Sequence, residues 1–202
     1  MDSNDVRRQW AERSGEYSPE YYAHYGPDET SEEIRRILDR SIDRSAPVLE
    51  LGCSSGRHLS HLHESGFDNL AGIEVNDDAF KVMEDSYPDL ADAGEFYHDA
   101  IENVVDQFDT DRFRAVYSVE TLQHLHPDAE WVYGEIARIT DELLVTVENE
   151  GDRSDEDVNY VNDEFPLYYR DWNTVFTERG FVEVDANADR RDTVRTFRTE
   201  PT

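Results

Sequence analysis

Val48-Leu49-Glu50-Leu51-Gly52-Cys53-Ser54-Ser55-Gly56 is the stretch that decides how this chain is read. Its apolar run, Val48, Leu49 and Leu51, ends in a turn that holds two glycines. Arg57 to Glu64 then has helix-like spacing, with Leu59 and Leu62 facing inward and His58, His61 and His63 read as helix surface. A second short run, Leu70-Ala71-Gly72-Ile73, stops at the acid Glu74. The order is strand, glycine turn, helix, strand, acid. A turn without Cβ atoms lets a ligand approach the backbone. A carboxylate at the tip of the next strand accepts ribose hydroxyls. The first half of the chain is therefore expected to hold an adenosine-containing cofactor.

The turn discriminates among such cofactors. A dinucleotide site needs G-x-G-x-x-G, so that a pyrophosphate rests on the backbone and the helix N-terminus. Here Ser54 takes the place of the middle glycine, and no third glycine follows at the right offset. No G-x-x-x-x-G-K-[ST] phosphate loop occurs. What remains is Glu50 followed by Gly-x-x-x-Gly. This pattern resembles motif I of the class I S-adenosylmethionine-dependent methyltransferases, whose sulfonium cofactor carries no phosphate.

The resemblance runs from about residue 46 to residue 199. Leu70 to Glu74 is similar to the family's second strand, and Phe96-Tyr97-His98-Asp99-Ala100 to its third strand and the acid after it. Phe113 to Val119 is similar to the fourth strand, and Glu120-Thr121-Leu122-Gln123-His124-Leu125 to the segment that follows it. Leu143 to Val147 reads as strand five; Phe181 to Ala186 and Thr193 to Arg198 read as the closing pair. The resemblance implies an α/β fold: a Rossmann-like seven-stranded sheet in the order 3-2-1-4-5-7-6, mostly parallel with one antiparallel strand, with helices on both faces. Two departures stand out. Ser54 replaces a common glycine, and Glu50 a common Asp.

In open α/β sheets, ligands sit beyond the carboxyl ends of the strands. Glu50 to Gly56, Glu74, Asp99 and Ser118 to His124 all fall there. As the resemblance implies, Glu74 holds the ribose, with Val75 beside it, and Asp99 meets the adenine amino group. Ala100 or Ile101 packs on the ring. Gly52 and Gly56, with Cys53 and Ser54 between them, let the methionine part pass. Glu50 orients the turn, or the ammonium through water. Ser118 is counted among the cofactor-binding residues at the end of strand four, and Glu120 lines the methionine pocket. Methyl transfer is a displacement at an already activated carbon, so the protein must align a nucleophile and exclude water. A base helps only if the acceptor loses a proton. His124 is the leading candidate and His126 the alternative; a helix-start packing role for His124 stays open.

Residues 1–45 form an N-terminal segment, helical and aromatic, ahead of a core over 46–202. Asp5 to Arg13 reads as a short helix carrying Val6 and Trp10. Tyr17, Tyr21, Tyr22 and Tyr25, interrupted by Pro19 and Pro27, read as turn-like. With Trp10 they either cover the cofactor as a lid or glue the segment to the core. Tyr168, Tyr169 and Trp172 are placed facing them. A helix starts at Thr30-Ser31-Glu32-Glu33, with the stripe Ile34, Ile37, Leu38, Ile42. Further helices are expected over Asp77–Ser86, Pro127–Thr140 and Tyr169–Arg179, and an acidic surface loop over Glu148–Asp157.

The 202 residues suffice for one such domain. Only 37% are hydrophobic, 33% are charged, and the net charge is -29, spread along the whole chain. Lys81 is the single lysine. Regular apolar runs argue against disorder, so the composition points to a salt-requiring protein of a halophile. At about 1 M salt the Debye length is roughly 3 Å and surface repulsion is screened. In dilute buffer the same charges oppose compaction. So acidic a surface is a poor match for nucleic acid, and Arg190, Arg191, Arg195 and Arg198 read as solvated charges. Cys53, the lone cysteine, reads as a small packing residue. No metal cluster, membrane span or secretory leader is legible, so the expected protein is cytoplasmic, a monomer or weak homodimer.

Three functions compete. A methyltransferase acting on a small-molecule acceptor leads. A catalytically silent S-adenosylmethionine-binding or interaction protein is the alternative. An NAD-dependent oxidoreductase is disfavoured by the turn. The charge distribution also predicts that diluting KCl from multimolar to millimolar unfolds the chain. Far-UV circular dichroism checks this, and a folded signal that strengthens at low salt contradicts it.

Overall fold

The computed structural model describes residues 2–151, 158–161, 165–188 and 191–200. Its sheet contains β1 (Val48–Leu51), β2 (Leu70–Glu74), β3 (Glu95–His98), β4 (Phe113–Val119), β5 (Thr140–Glu148), β8 (Phe181–Asn187) and β9 (Thr193–Thr199). A hairpin outside this sheet pairs β6 (Val158–Val161) with β7 (Phe165–Tyr168). The order is β3-β2-β1-β4-β5-β9-β8. The first five strands run parallel, and β9 is antiparallel to both β5 and β8. This is the topology expected from the sequence.

Strand alternation divides the core between the two faces. Leu49 and Leu51 join Ile73, Val116, Leu144 and Phe197 on one face, beneath α8 (Val132–Ile139) and α9 (Trp172–Thr177). Val48, Tyr117, Leu143 and Val145 face the other way, toward α4 (Arg57–Glu64), α5 (Ala79–Ser86) and α6 (Pro88–Ala93). The helix α3 (Glu29–Ser41) supplies Ile34 and Leu38 to this second cluster, both fully buried. Its cap is Asp28, whose carboxylate accepts from the Thr30 and Ser31 amides at 2.9 and 3.0 Å. The helix therefore begins one residue earlier than the Thr30–Ser31 start read from sequence.

Several local expectations are corrected. The tyrosine-rich stretch is a helix, α2 (Pro19–Tyr25), following α1 (Ser3–Ala11). Ser18 caps it, Pro19 occupies its first turn and Gly26 closes it with φ +66°. Pro19 starts the helix rather than interrupting it, because the first turn spends no proline N–H. The helix expected over 127–140 is a short 3₁₀ turn at Pro127–Ala129 and then α8; Thr140 already belongs to β5. The helix expected from Tyr169 starts at Trp172, capped by Asp171. Two helices, α6 and α7 (Ile101–Val104), and the β6–β7 hairpin were not foreseen. Glu148 ends β5 and is fully buried, so it is no loop residue, whereas 152–157 and Arg190 lie outside the described residues.

Gly72 lets α4 close on the sheet. A Cβ there would meet Cys53 Sγ at 2.6 Å and Leu59 Cδ1 at 3.1 Å. Gly72→Ala is expected to cost about 1–3 kcal/mol by overpacking. Cys53→Ala in the same chain should recover part of that loss, because it removes the nearest atom. Thermal melts of the two single variants and the double variant check the coupling; purely additive losses would contradict it.

Candidate functional site

A cavity of about 160 Å³ opens at the carboxyl ends of β1, β2 and β4. Gly52, Cys53, Ser54, Glu74, Val75, Asp99, Ala100, Ile101, Glu120 and His124 all line it, as does Glu50. Ser118 and Gly56 do not.

The turn after β1 passes through left-handed backbone at Gly52, with φ +72°. A side chain there would also run into Thr121. Ser54 adopts φ +48° without being glycine, a conformation that costs roughly 1–2 kcal/mol. Glu74 offsets it. One carboxylate oxygen accepts from the Ser54 amide at 2.8 Å; the other accepts from the Val75 and Asn76 amides at 2.6 and 2.8 Å. Burial raises the Glu74 pKa, and these three amides oppose the shift. Asp99 is exposed at the end of β3, where one oxygen accepts from the Ala100 amide and the Asn103 side chain, both at 2.7 Å.

Glu50 is almost fully buried and accepts from the Tyr117 hydroxyl at 3.0 Å. Burial drives its pKa well up. Cys53 is likewise buried, its thiol pushed well above the usual range by burial. That environment disfavours the thiolate a nucleophile needs. Gly56 starts α4 with φ +82°, and a Cβ there would press on Met83 and Leu90. Its freedom serves helix packing, not passage of a ligand.

Ser118 turns away from the cavity because its hydroxyl donates to Glu148 at 2.6 Å. The Glu148 carboxylate also accepts from the amides of Thr121, Leu122 and Gln123 at 3.3, 3.1 and 3.2 Å. The Asn149 amide returns a bond to the Gln123 side chain at 2.6 Å. The segment after β4 is thereby laced to the end of β5. It carries Glu120, at φ +47°, and His124. Burial first, then Asp192, pushes Glu120 up to about 7.

His124 Nδ1 lies 2.9 Å from the Pro166 carbonyl, so it carries the proton and donates, leaving Nε2 as the acceptor, with the Gln123 amide nitrogen 3.5 Å away as a long donor to it. Burial lowers its pKa to about 4. Its ring packs 4.7 Å from Trp10. His126 also lines the cavity, but its Nδ1 accepts from the Asp128 amide at 3.2 Å.

From the N-terminal segment, Trp10, Tyr17 and Tyr22 face the cavity. Tyr21 and Tyr25 instead pack on each other outside it, their rings 4.8 Å apart. The segment is also fastened down: the Asn76 side chain donates to the Trp10 and Arg13 carbonyls at 2.9 and 3.0 Å. Trp172, placed opposite by sequence, is fully buried beside Phe176 in the core. Tyr168 packs on His126 and does not line the cavity.

His58 corrects the surface reading given to its cluster. It is buried, lines the cavity, and has Nδ1 2.7 Å from the Ser31 hydroxyl. Burial lowers its pKa to about 3. Ser31 lies 27 positions earlier, so local spacing carries no signal of the pair. Among the described residues, no group of three or more metal-ligating side chains occurs, and no helix is long and apolar enough to cross a membrane.

Two pH-dependent outcomes follow. His58 and His124 should stay neutral from pH 5 to 8, with flat imidazole chemical shifts. Their folded pKa values lie below the unfolded value of roughly 6.5, so the unfolded chain binds more protons between them. Their contribution to stability therefore falls as pH drops below about 6.5 toward 4 and then 3. An imidazole of either residue titrating near pH 6.5 contradicts this environment.

Comparison with known proteins bears on the same residues. Residues 48–142 match a family model described as a methyltransferase domain. No curated protein matches the chain. Among solved structures, a [4+2]-cyclase, SpnF, superposes with TM-score 0.69 at 12% identity, covering 94% of this chain and 85% of its own. An S-adenosylmethionine dependent methyltransferase from Mesorhizobium loti gives 0.66 at 12%, covering 90% of this chain and 100% of its own. The magnesium protoporphyrin IX methyltransferase of Synechocystis PCC 6803, with bound S-adenosylmethionine, gives 0.64 at 13%, covering 98% and 92%. Residues 48–142 thus resemble a methyltransferase domain, and the sheet as a whole has the Rossmann-like fold of these solved structures.

Proposed function

We propose that this chain transfers a methyl group from S-adenosylmethionine to a small-molecule acceptor by in-line displacement. The observation that carries the reading is convergence. The phosphate-free glycine turn, Glu74 and Asp99 meet in one cavity with the laced segment after β4. The match of 48–142 to a methyltransferase domain supports it.

In this reading Glu74 accepts the ribose hydroxyls with the lone pairs its three amides leave over. Asp99 Oδ2 meets the adenine amino group, and Ala100 and Ile101 lie under the ring. Gly52 and the backbone of Cys53 and Ser54 pass the methionine part. The cofactor supplies a methyl already activated by a sulfonium. The chain's own residues align the acceptor and keep water away. His124, neutral above about pH 5, offers Nε2 as a hydrogen-bond acceptor that orients the nucleophile. Residues 1–45 cover the site with Trp10, Tyr17 and Tyr22, over a core at 46–202. The acidic composition fits work in a concentrated-salt cytoplasm.

Calorimetric titration in multimolar KCl tests the cofactor. S-adenosylmethionine and S-adenosylhomocysteine should bind and NAD should not. Glu74→Ala should weaken binding roughly 10- to 100-fold, the range of a lost hydrogen bond to a charged group. Binding of NAD alone, or unaltered affinity in a folded Glu74→Ala sample, contradicts the assignment. His124→Ala should lower the rate with little change in cofactor affinity; no change in rate removes His124 from the reaction.

A further inference from the structure

The charges around the cavity are sorted. Glu50, Glu74, Asp99 and Glu102 stand at or just beyond the ends of β1 to β3. Arg7, Arg13, Arg57 and Arg191 line the same cavity, together with a fifth acid, Glu120. The whole chain has 48 acids to 19 lysines and arginines, so a lining of five acids and four arginines is much richer in cations than the molecule.

These arginines differ in how they are held. Arg57 is tied off, with Asp28 at 2.9 Å and the Tyr22 ring at 4.8 Å. Arg7 lies 4.0 Å from Glu102, and Arg191 3.8 Å from both Glu120 and Asp192. These carboxylate contacts are ion pairs without hydrogen bonds, while Arg7 Nη2 donates to Asn4 Oδ1 at 2.5 Å and Arg13 Nε to the Glu16 carbonyl at 2.6 Å. By contrast, Arg195 outside the cavity contacts Glu150 and Glu183 at 2.6 Å. The Arg13 guanidinium sits 4.6 Å from the Phe165 ring, which packs 4.4 Å from Trp10, which packs on His124. Arg13 and His124 therefore flank one aromatic wall.

We propose that the methyl acceptor is a small molecule bearing an oxyanion, a carboxylate or a phosphate, which Arg7, Arg13 and Arg191 hold while its nucleophile faces His124. The inference rests on the methyltransferase reading. A guanidinium fork matches the paired oxygens of either group. A strongly acidic protein repels such a substrate, and concentrated salt removes long-range steering. Recognition then depends on short-range contacts, which these arginines supply.

The test uses the full chain in multimolar KCl with labelled S-adenosylmethionine. The probes are matched sets: small hydroxy, amino and thiol carboxylic acids, the corresponding phosphate monoesters, and the amides of the same acids. Transfer should favour acids or phosphate esters over amides by roughly tenfold or more, and the favoured set identifies the oxyanion. Arg13→Gln and Arg7→Gln should raise KM for that acceptor by a similar factor. Their affinity for S-adenosylmethionine, measured by calorimetry, should stay within about twofold, which also shows that the variants fold. Arg13→Lys should recover part of the loss. Equal or better transfer to amides overturns the proposal, as does no transfer to any acid or ester while the cofactor binds. Loss of cofactor affinity in the arginine variants also overturns it, because the guanidinium then serves the methionine carboxylate. A folded chain that does not bind S-adenosylmethionine at all overturns the methyltransferase reading and this proposal together.

Discussion

The site depends on one half-buried carboxylate. Glu74 accepts from Ser54 on the first strand's turn and from Val75 and Asn76 on its own. It thereby fixes the separation of two loops that belong to different strands. Without those acceptors the Ser54 amide has no partner and its left-handed backbone no compensation. Asn76, positioned by the same cluster, reaches the carbonyls of Trp10 and Arg13. The chain of constraint therefore runs from β1 through Glu74 to the N-terminal segment that covers the cavity. The acid proposed to accept the ribose is also the knot that shapes the place where the ribose would lie.

A second carboxylate does for β4 what Glu74 does for β1 and β2. Glu148 gathers a hydroxyl and three amides from the segment that carries His124. Burial pushes its pKa up to about 7 despite these donors. The alternation of β5 sends it inward, where an unpaired carboxylate would be costly. That is why the loop is drawn onto it. His124 is fixed again through Pro166 on the β6–β7 hairpin, so the candidate orienting group is held from two strands that never pair with each other.

The sequence made the sheet legible because parallel βα units announce themselves through apolar runs and through turns at fixed offsets. Glu74 and Asp99 were legible for the same reason, since a strand end determines where its next residue stands. Ser118 was not. Its strand end was read correctly, but which way its side chain leaves the sheet depends on Glu148, thirty residues later. Gly56 was read as a ligand passage, whereas Met83 and Leu90 explain its missing side chain. His58 was misplaced because a polar residue among polar residues gives no period, and only the partner Ser31 on α3 draws it inward. Pro19 was read as a breaker because Ser18 was not recognised as a cap. These failures share a cause: each residue is placed by a partner distant in sequence or by a cap whose context is tertiary.

Composition and site pull against each other, and the structure resolves the conflict by location. Arginine is nearly the sole cation of the chain. On the surface it forms networks such as Arg195 with Glu150 and Glu183, and Arg35 with Glu32 and Asp39. Single exposed pairs of this kind contribute little, and concentrated salt weakens them further. Arg7 and Arg191 in the cavity wall are 29% and 59% exposed, no drier than Arg195 or Arg35, and differ from them in having no short carboxylate contact. The neutral state of His124 fits that arrangement. An imidazolium there would add a charge beside Arg191, the very contact that helps to lower its pKa. Burial and that arginine keep the ring uncharged, the state in which its free nitrogen can accept a hydrogen bond, as the proposed role requires.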